Sequence, residues 1–374
     1  MIKTTRNIAA IISVVLLSLV SVPLVSQQIK DVQTRTLRIG VFGLFHPQAL
    51  VLRPLPGQQL SICGADGATP ILLTNAADTS ITREGNRFRV DSAGKSSLSE
   101  HLRFCSSNSG VSDFTLSVPG KIQRRFRGQL EVLTEGPSLV PVVEMDLETA
   151  VASIVAAESP AHAPLEALKA QAVVTRSYLV ANRNRHHNYD FCDTTHCQFL
   201  RDPPATNSPA FRATLESKGL VLTYKDVTVG AMFTASCGGK TRTLADVGMD
   251  SDEGLYPYYA VVCDHCQRNP TVWTVRLTRK QAEGLLHAHT EKKRLEIARR
   301  LGWNSMPGND FVVHHDKDGF VATGKGHGHG VGLCQLGATA MAQQGKDARS
   351  ILEHYFPNTV ITDIPANSMN AAGK

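Results

Sequence analysis

The sequence predicts an α+β fold: a mixed body preceded by a β-rich N-terminal section. Three observations carry this. Up to about residue 145, short apolar or alternating runs (TLRIGVFGLF, QQLSICG, RFRV, FTLSV) are separated by Gly, Asn, Asp and Pro, the punctuation of strands. At Met145 the period changes, and DLETAVASIVAAESP sets its apolar residues at helical spacing and stops at Pro160. Beyond it both periods recur.

The elements follow in order. After the helix ending near Pro160, a second one starts at Pro164, with Leu165, Leu168, Ala172, Thr175 and Leu179 at intervals of 3 and 4. A polar loop crowded with His and Cys spans 186–197. Residues 219–236 read as two strands joined at Lys225-Asp226, TVWTVRLT as another strand, and 279–301 as a charged helical stretch. GKGHGHGVGLCQLGATAMAQQG is a Gly-rich loop feeding a small-residue helix. There is no internal repeat.

Composition bounds the function. The 374 residues include 39 Lys+Arg against 33 Asp+Glu, a formal charge of +6. That balance is too even for a protein that coats nucleic acid, and no nucleic-acid partner is expected, whereas a weakly acidic polymer suits it. A hydrophobic content of 42% with 19% charged residues describes a folded chain. Lys3 and Arg6 precede an uncharged run from Ile8 to Val25, which reads as an export signal or a single membrane anchor. Either reading puts the rest of the chain outside the cytoplasm, and any membrane contact is expected only through this segment.

Eight cysteines in an oxidising compartment permit full pairing, and Cys63 with Cys105 is the pairing expected in the N-terminal region. Two clusters resist a purely bridging role. HHNYDFCDTTHC (186–197) offers two thiolates and two imidazoles, an ordinary closed tetrahedral zinc set, against the alternative of a Cys192–Cys197 disulfide. CDHC (263–266) reads as a disulfide or a second metal clip.

Glu158 is the acid that chemistry would use. It closes an Ala/Val/Ile helix, where the negative end of the macrodipole and apolar neighbours both raise a carboxyl pKa. That is the tuning a general acid needs near neutral pH. The loop GKGHGHGVG (324–332) has the wrong spacing for a nucleotide loop. Its glycines allow close backbone approach to a ligand, with His327, His329 and Gln335 at hand.

ESPAHAPLEALKAQAVVTRSYL, YDFCDTTHCQ, TASCGG, LYPYYAVVCDHC, GHGHGVGLCQLGATAMAQQG and ILEHYFPNT closely resemble, in this order, the stage II sporulation protein D family (SpoIID/LytB domain). The resemblance covers about residues 124–362. Together with the residue patterns above it gives four parts: a signal peptide or anchor (1–26), a β-rich region (37–123) that matches only loosely, a SpoIID-like catalytic domain implied to be a curved body with a long substrate cleft (124–362), and a C-terminal tail (363–374). It also implies activity on peptidoglycan glycan strands as a lytic transglycosylase, with a cell-wall amidase as a possible partner and no organic cofactor. By motif, Glu158 falls on the family's catalytic acid/base, with Ser159 where Met is usual. Lys169 and Arg176, seven residues apart on one helical face, would hold lactyl carboxylates of MurNAc. Ser236, His329 and Gln335 fall on cleft positions. His187, Cys192, His196 and Cys197 match a structural zinc site found in some members. His327 and Cys334 depart from the family's pattern, which leaves subsite preference and a Cys237–Cys334 bridge open.

The runner-up reading is a non-catalytic peptidoglycan-binding enhancer of an amidase. A zinc hydrolase would need an open metal position, and a thiol oxidoreductase would rest on Cys263 and Cys266.

Overall fold

Alternation of apolar and polar residues builds the first half of the fold. In the computed structural model, residues 35–63, 72–106, 111–249, 256–287, 290–302 and 305–365 are described. The signal or anchor expected at 1–26 lies outside these residues. No helix among the described residues is long and apolar enough to cross a membrane.

Strands β1 (Thr36–Gly40), β2 (Ala49–Pro54), β3 (Leu60–Cys63), β4 (Leu72–Leu73), β5 (Thr79–Glu84) and β6 (Arg87–Ser92) come first. They are followed by β7 (Lys95–Ser99), β8 (Leu102–Ser106), β9 (Ser112–Val118), β10 (Ile122–Glu135) and β11 (Ser138–Asp146). With β12 (Phe191–Cys192) they form one sheet in the order β12-β1-β11-β10-β9-β2-β5-β6-β7, from which β8, β3 and β4 branch at β10. In β9 every second residue is buried, the pattern of a strand with one wet face. The disulfide between Cys63 and Cys105 forms as expected and ties β3 to β8.

β10 curls the sheet. Ile122–Gly128 pair with β9, whereas Gln129–Glu135 pair with β11 and Leu130–Val132 also with β8. Gly128 sits at the change of partner with φ 153°, and a Cβ there would lie 2.2 Å from the Glu144 carbonyl oxygen. Only glycine fits. The boundary expected between 123 and 124 therefore falls inside a continuous strand.

The helices pack on this sheet. Asp146, the last residue of β11, accepts from the Glu148 and Thr149 amides and caps α1 (Leu147–Glu158). Such a cap contributes about 1 kcal/mol. α1 ends as predicted, with Ser159 extended before Pro160. α2 (Leu165–Ala181) starts after Pro164 and is buried on nearly all sides between α1, α3 (Pro209–Glu216), and β13 (Leu220–Tyr224). β13 turns back into β14 (Val227–Thr228) through Lys225 and Asp226, both at positive φ as a two-residue hairpin turn requires. β15 (Phe233–Thr234) pairs in parallel with β19 (Leu333–Cys334), and α4 (Asp264–Arg268) lies between them in sequence. α7 (Gln335–Gln343), α8 (Ala348–Tyr355) and β20 (Val360–Asp363) complete this body; β20 pairs with β13.

A smaller apolar cluster holds β16 (Val272–Leu277), β17 (Asp310–Asp316) and β18 (Gly319–Lys325) against α5 (Arg279–His287) and α6 (Glu291–Leu301). The single charged helix predicted over 279–301 is thus two, because the Thr290 hydroxyl caps a new helix at the Lys293 amide.

One ion pair joins the central helices. Arg176 on α2 is fully buried (0% exposed). Its Nε and Nη2 donate to Oε1 and Oε2 of Glu148 on α1 at 2.8 and 2.5 Å. Nη1 donates to the Leu220 carbonyl (3.1 Å) and Nη2 to that of Thr214 (3.4 Å), so β13 and α3 hang on the same guanidinium. Arg176→Ala strands the Glu148 carboxylate and should lower stability by about 3–5 kcal/mol. Arg176→Lys should recover only part, since an ammonium cannot make the two-pronged contact. Denaturant titration of both variants checks this; a loss within about 0.5 kcal/mol, as at an ordinary surface site, would refute it.

Candidate active site

Glu158 is placed by its own helix and by two groups from distant parts of the chain. α1 delivers it at the helix end, half-buried. The Phe199 amide donates to its Oε1 at 3.0 Å. The Gln335 side-chain amide donates to its backbone carbonyl at 2.9 Å, satisfying an oxygen that a helix terminus leaves without a partner. Gln335 is itself held by the Gln171 Oε1 at 3.4 Å. Burial pushes the Glu158 carboxyl pKa up, and the Phe199 hydrogen bond partly opposes it. The space beside it is narrow: a recess of about 10 Å³, room for about one water, is lined by Ser159, Pro160, Gln171 and Gln335 among others. A larger cavity of about 400 Å³ opens at the N-terminal half of α1, beside Glu148, Thr149 and Ala152.

The loop carrying Phe199 is pinned at both ends. Asp190 and Asp193 are buried; Asp190 accepts the Arg38 amide at 2.9 Å and pairs with Arg183 at 3.0 Å. Asp193 accepts the Phe42 amide at 3.2 Å and pairs with Arg124 at 2.8 Å. Arg124 also donates to the Leu200 carbonyl. Its guanidinium lies over the Phe199 ring at 5.9 Å, and that of Arg201 lies over the same ring at 4.7 Å.

Between those anchors His186, Cys192, His196 and Cys197 converge, their donor atoms all within 4.8 Å of one another. His186 Nε2 is 3.3 Å from Cys197 Sγ, and His196 Nδ1 is 3.8 Å from Cys192 Sγ and 3.6 Å from Cys197 Sγ. Tetrahedral zinc bonds of about 2.0–2.3 Å place neighbouring donors roughly 3.3–3.8 Å apart, so the set fits a zinc ion. One member differs from the sequence reading. The ring brought into the group is His186, whereas His187 is exposed and not among the four. Adjacent histidines on a loop point to different sides, and spacing alone does not choose between them.

The other expected site residues fall in less direct places. Arg176 is buried in its pair with Glu148 and cannot meet a lactyl carboxylate. Lys169 is divided between Glu166 (2.7 Å) and Glu216 (2.8 Å), which join α2 to α3. Seven-residue spacing does align the two cations on α2, but that face is turned to neighbouring helices. Ser236 is buried, with its Oγ 3.6 Å from Cys266 Sγ and its backbone paired with His327. His329 accepts the Val331 amide on Nδ1 at 3.0 Å, and burial lowers its pKa, so the ring is a neutral brace of the Gly-rich loop. Gln335 meets the acid's backbone rather than open solvent. Phe199 and Arg201 lie outside the quoted motifs, and Gln171, although inside the EALKAQAVVTRSY motif, was not singled out by the sequence reading.

The raised Glu158 pKa has a consequence for stability. The folded value lies above the unfolded one, so the group favours folding fully below the unfolded value, and that contribution is lost as pH rises through the folded one. Glu158→Gln keeps an oxygen for the Phe199 amide and removes the titration. The wild type should therefore lose stability relative to this variant as pH climbs out of the ordinary carboxyl range. Parallel denaturant titrations over pH measure it; a pH-independent difference would show that the carboxyl is not desolvated.

Comparison with known proteins agrees with the motif order. Residues 135–224 match the family described as stage II sporulation protein. An uncharacterized protein of Brachyspira hyodysenteriae is 28% identical over 275 residues, covering 64% of this chain and 72% of that protein. Stage II sporulation protein D of Bacillus amyloliquefaciens is 26% identical over 289 residues, covering 64% and 83% respectively. The amidase enhancer of Bacillus subtilis is 25% identical over 286 residues, covering 55% of this chain and 39% of its own length. The family segment spans Glu158, both α2 cations and the His/Cys loop. The segment 135–224 is therefore similar to the stage II sporulation protein family, in agreement with the resemblance that the motifs carry.

Proposed function

We propose that this chain is a cell-envelope lytic transglycosylase that cuts the MurNAc–GlcNAc β-1,4 bond of peptidoglycan, in strands stripped of stem peptides. The observation that carries this reading is Glu158, a half-buried carboxyl with a raised pKa, fixed at both its side chain and its backbone. Protonated Glu158 donates to the glycosidic oxygen as an oxocarbenium-like centre develops. The carboxylate then accepts the proton of the same sugar's C6 hydroxyl as that oxygen closes on C1, leaving a 1,6-anhydroMurNAc end. Because the nucleophile is internal, no second carboxylate at a hydrolase's separation is required.

Arg201, exposed and braced on Phe199, offers a carboxylate-binding guanidinium near the acid, where Arg176 is fully buried in its ion pair. His186, Cys192, His196 and Cys197 would hold a zinc ion that fixes the Phe199 loop; four protein ligands leave no position for water. The Cys63–Cys105 disulfide supports a place outside the cytoplasm. The similarity to an amidase enhancer favours a second reading, in which the chain binds glycan and stimulates an amidase without cutting.

Incubating the protein with intact and amidase-stripped glycan strands separates the two. Wild type should release 1,6-anhydroMurNAc ends detected by mass, and Glu158→Gln should not. Activity should fall on the alkaline side as Glu158 loses its proton. If neither protein cuts and both accelerate an amidase, the enhancer reading replaces the enzyme. Arg201→Ala should raise KM roughly tenfold with a smaller effect on kcat, the loss of one charged hydrogen bond; an unchanged KM would remove Arg201 from the site.

A further inference from the structure

Four cysteines outside the acid's surroundings meet at one point. Cys237 follows β15, Cys263 and Cys266 bracket the start of α4, and Cys334 ends β19 and caps α7. All four are buried, none more than 3% exposed. Their Sγ atoms lie within 4.8 Å of one another, and Cys266 Sγ and Cys334 Sγ are 3.5 Å apart. Four sulfurs around a centre at about 2.3 Å would be roughly 3.8 Å apart, whereas two disulfides would draw them into separate bonded pairs.

Hydrogen-bond donors surround the sulfurs. The Cys237 and Gly337 amides each approach Cys334 Sγ at 3.4 Å. The Tyr355 hydroxyl donates to Cys263 Sγ at 3.3 Å, and the Ser236 hydroxyl lies 3.6 Å from Cys266 Sγ. Neutral thiols and disulfides are weak acceptors; anionic thiolates in a buried site need such donors. Gly337 allows the approach, since a Cβ there would lie 2.5 Å from Cys263 Sγ and 1.9 Å from the Tyr355 hydroxyl oxygen.

We propose that Cys237, Cys263, Cys266 and Cys334 form a second metal site, holding one zinc ion as a closed four-thiolate set. Binding releases the four thiol protons to solvent and leaves no ligand position for water or substrate. The site has a structural task. Ser236 pairs with His327 of the Gly-rich loop, and Gln335 next to Cys334 holds the Glu158 carbonyl, so the metal would clamp the segments that carry both. It does not depend on what reaction Glu158 performs.

The test is metal counting on the full chain purified after export. The double variant Cys192→Ser, Cys197→Ser should still carry one zinc, and Cys263→Ser, Cys266→Ser should carry one fewer than wild type. Should the second variant fail to fold, wild type decides alone. Denatured without reductant, and with chelator present, it should yield Cys237, Cys263, Cys266 and Cys334 as alkylatable thiols that are protected in the native protein. Disulfide-linked peptides among these four, free thiols without bound metal, or iron in place of zinc would each overturn the proposal.

Discussion

The pair between Arg176 and Glu148 is the constraint on which the helical body rests. A guanidinium with no exposure must find acceptors for all its donors, and it finds them on α1, α2, α3 and β13 together. The Glu148 carboxylate in turn accepts the Gly219 amide at the entry to β13. Any shift of α1 along α2 would break several charge-assisted bonds at once. Since Glu158 is the last residue of α1, its position is inherited from that pair.

The acid end of α1 is fixed by chain segments far away in sequence. The Phe199 amide comes from the loop that follows the His186, Cys192, His196 and Cys197 group, and Gln335 comes from the start of α7. Each hydrogen bond replaces water at a polar atom that folding buries, so the carboxyl is held without being neutralised by a cation. That is why burial dominates its pKa. A lysine or arginine at the same contact would have lowered it.

Two sets of metal-ligating side chains adjoin these segments, one of two sulfurs and two imidazoles and one of four sulfurs. One is close to the Phe199 loop and the other is where β15, α4, β19 and α7 meet. The second set lies within the main hydrophobic core, where it joins segments of irregular backbone. In the Gly-rich loop Gly326, Gly328, Gly330 and Gly332 all have positive φ, and the loop is kept in place by backbone pairing to Ser236 and Arg242 and by the buried Val331.

Much was legible in the sequence because it rests on local periodicity and turn chemistry. Strand alternation, the ends of α1 and α2 at proline and the Lys225-Asp226 turn all follow from short-range pattern, whereas the Cys63–Cys105 pairing was expected only because both lie in the N-terminal region. The acid at the end of α1 was legible for the same reason, since a carboxylate at an apolar helix terminus is a local feature. What the sequence could not determine is which way a side chain faces once helices pack. Seven-residue spacing put Lys169 and Arg176 on one face, yet only tertiary packing made that face interior, so both cations serve the framework. Likewise His186 rather than His187 joins its cluster, and Cys237 and Cys334 join Cys263 and Cys266, because convergence of residues distant in the chain is set by the fold. Periodicity reports the neighbours a residue has along its own element; burial and hydrogen-bond partners are decided by the elements that come to lie against it.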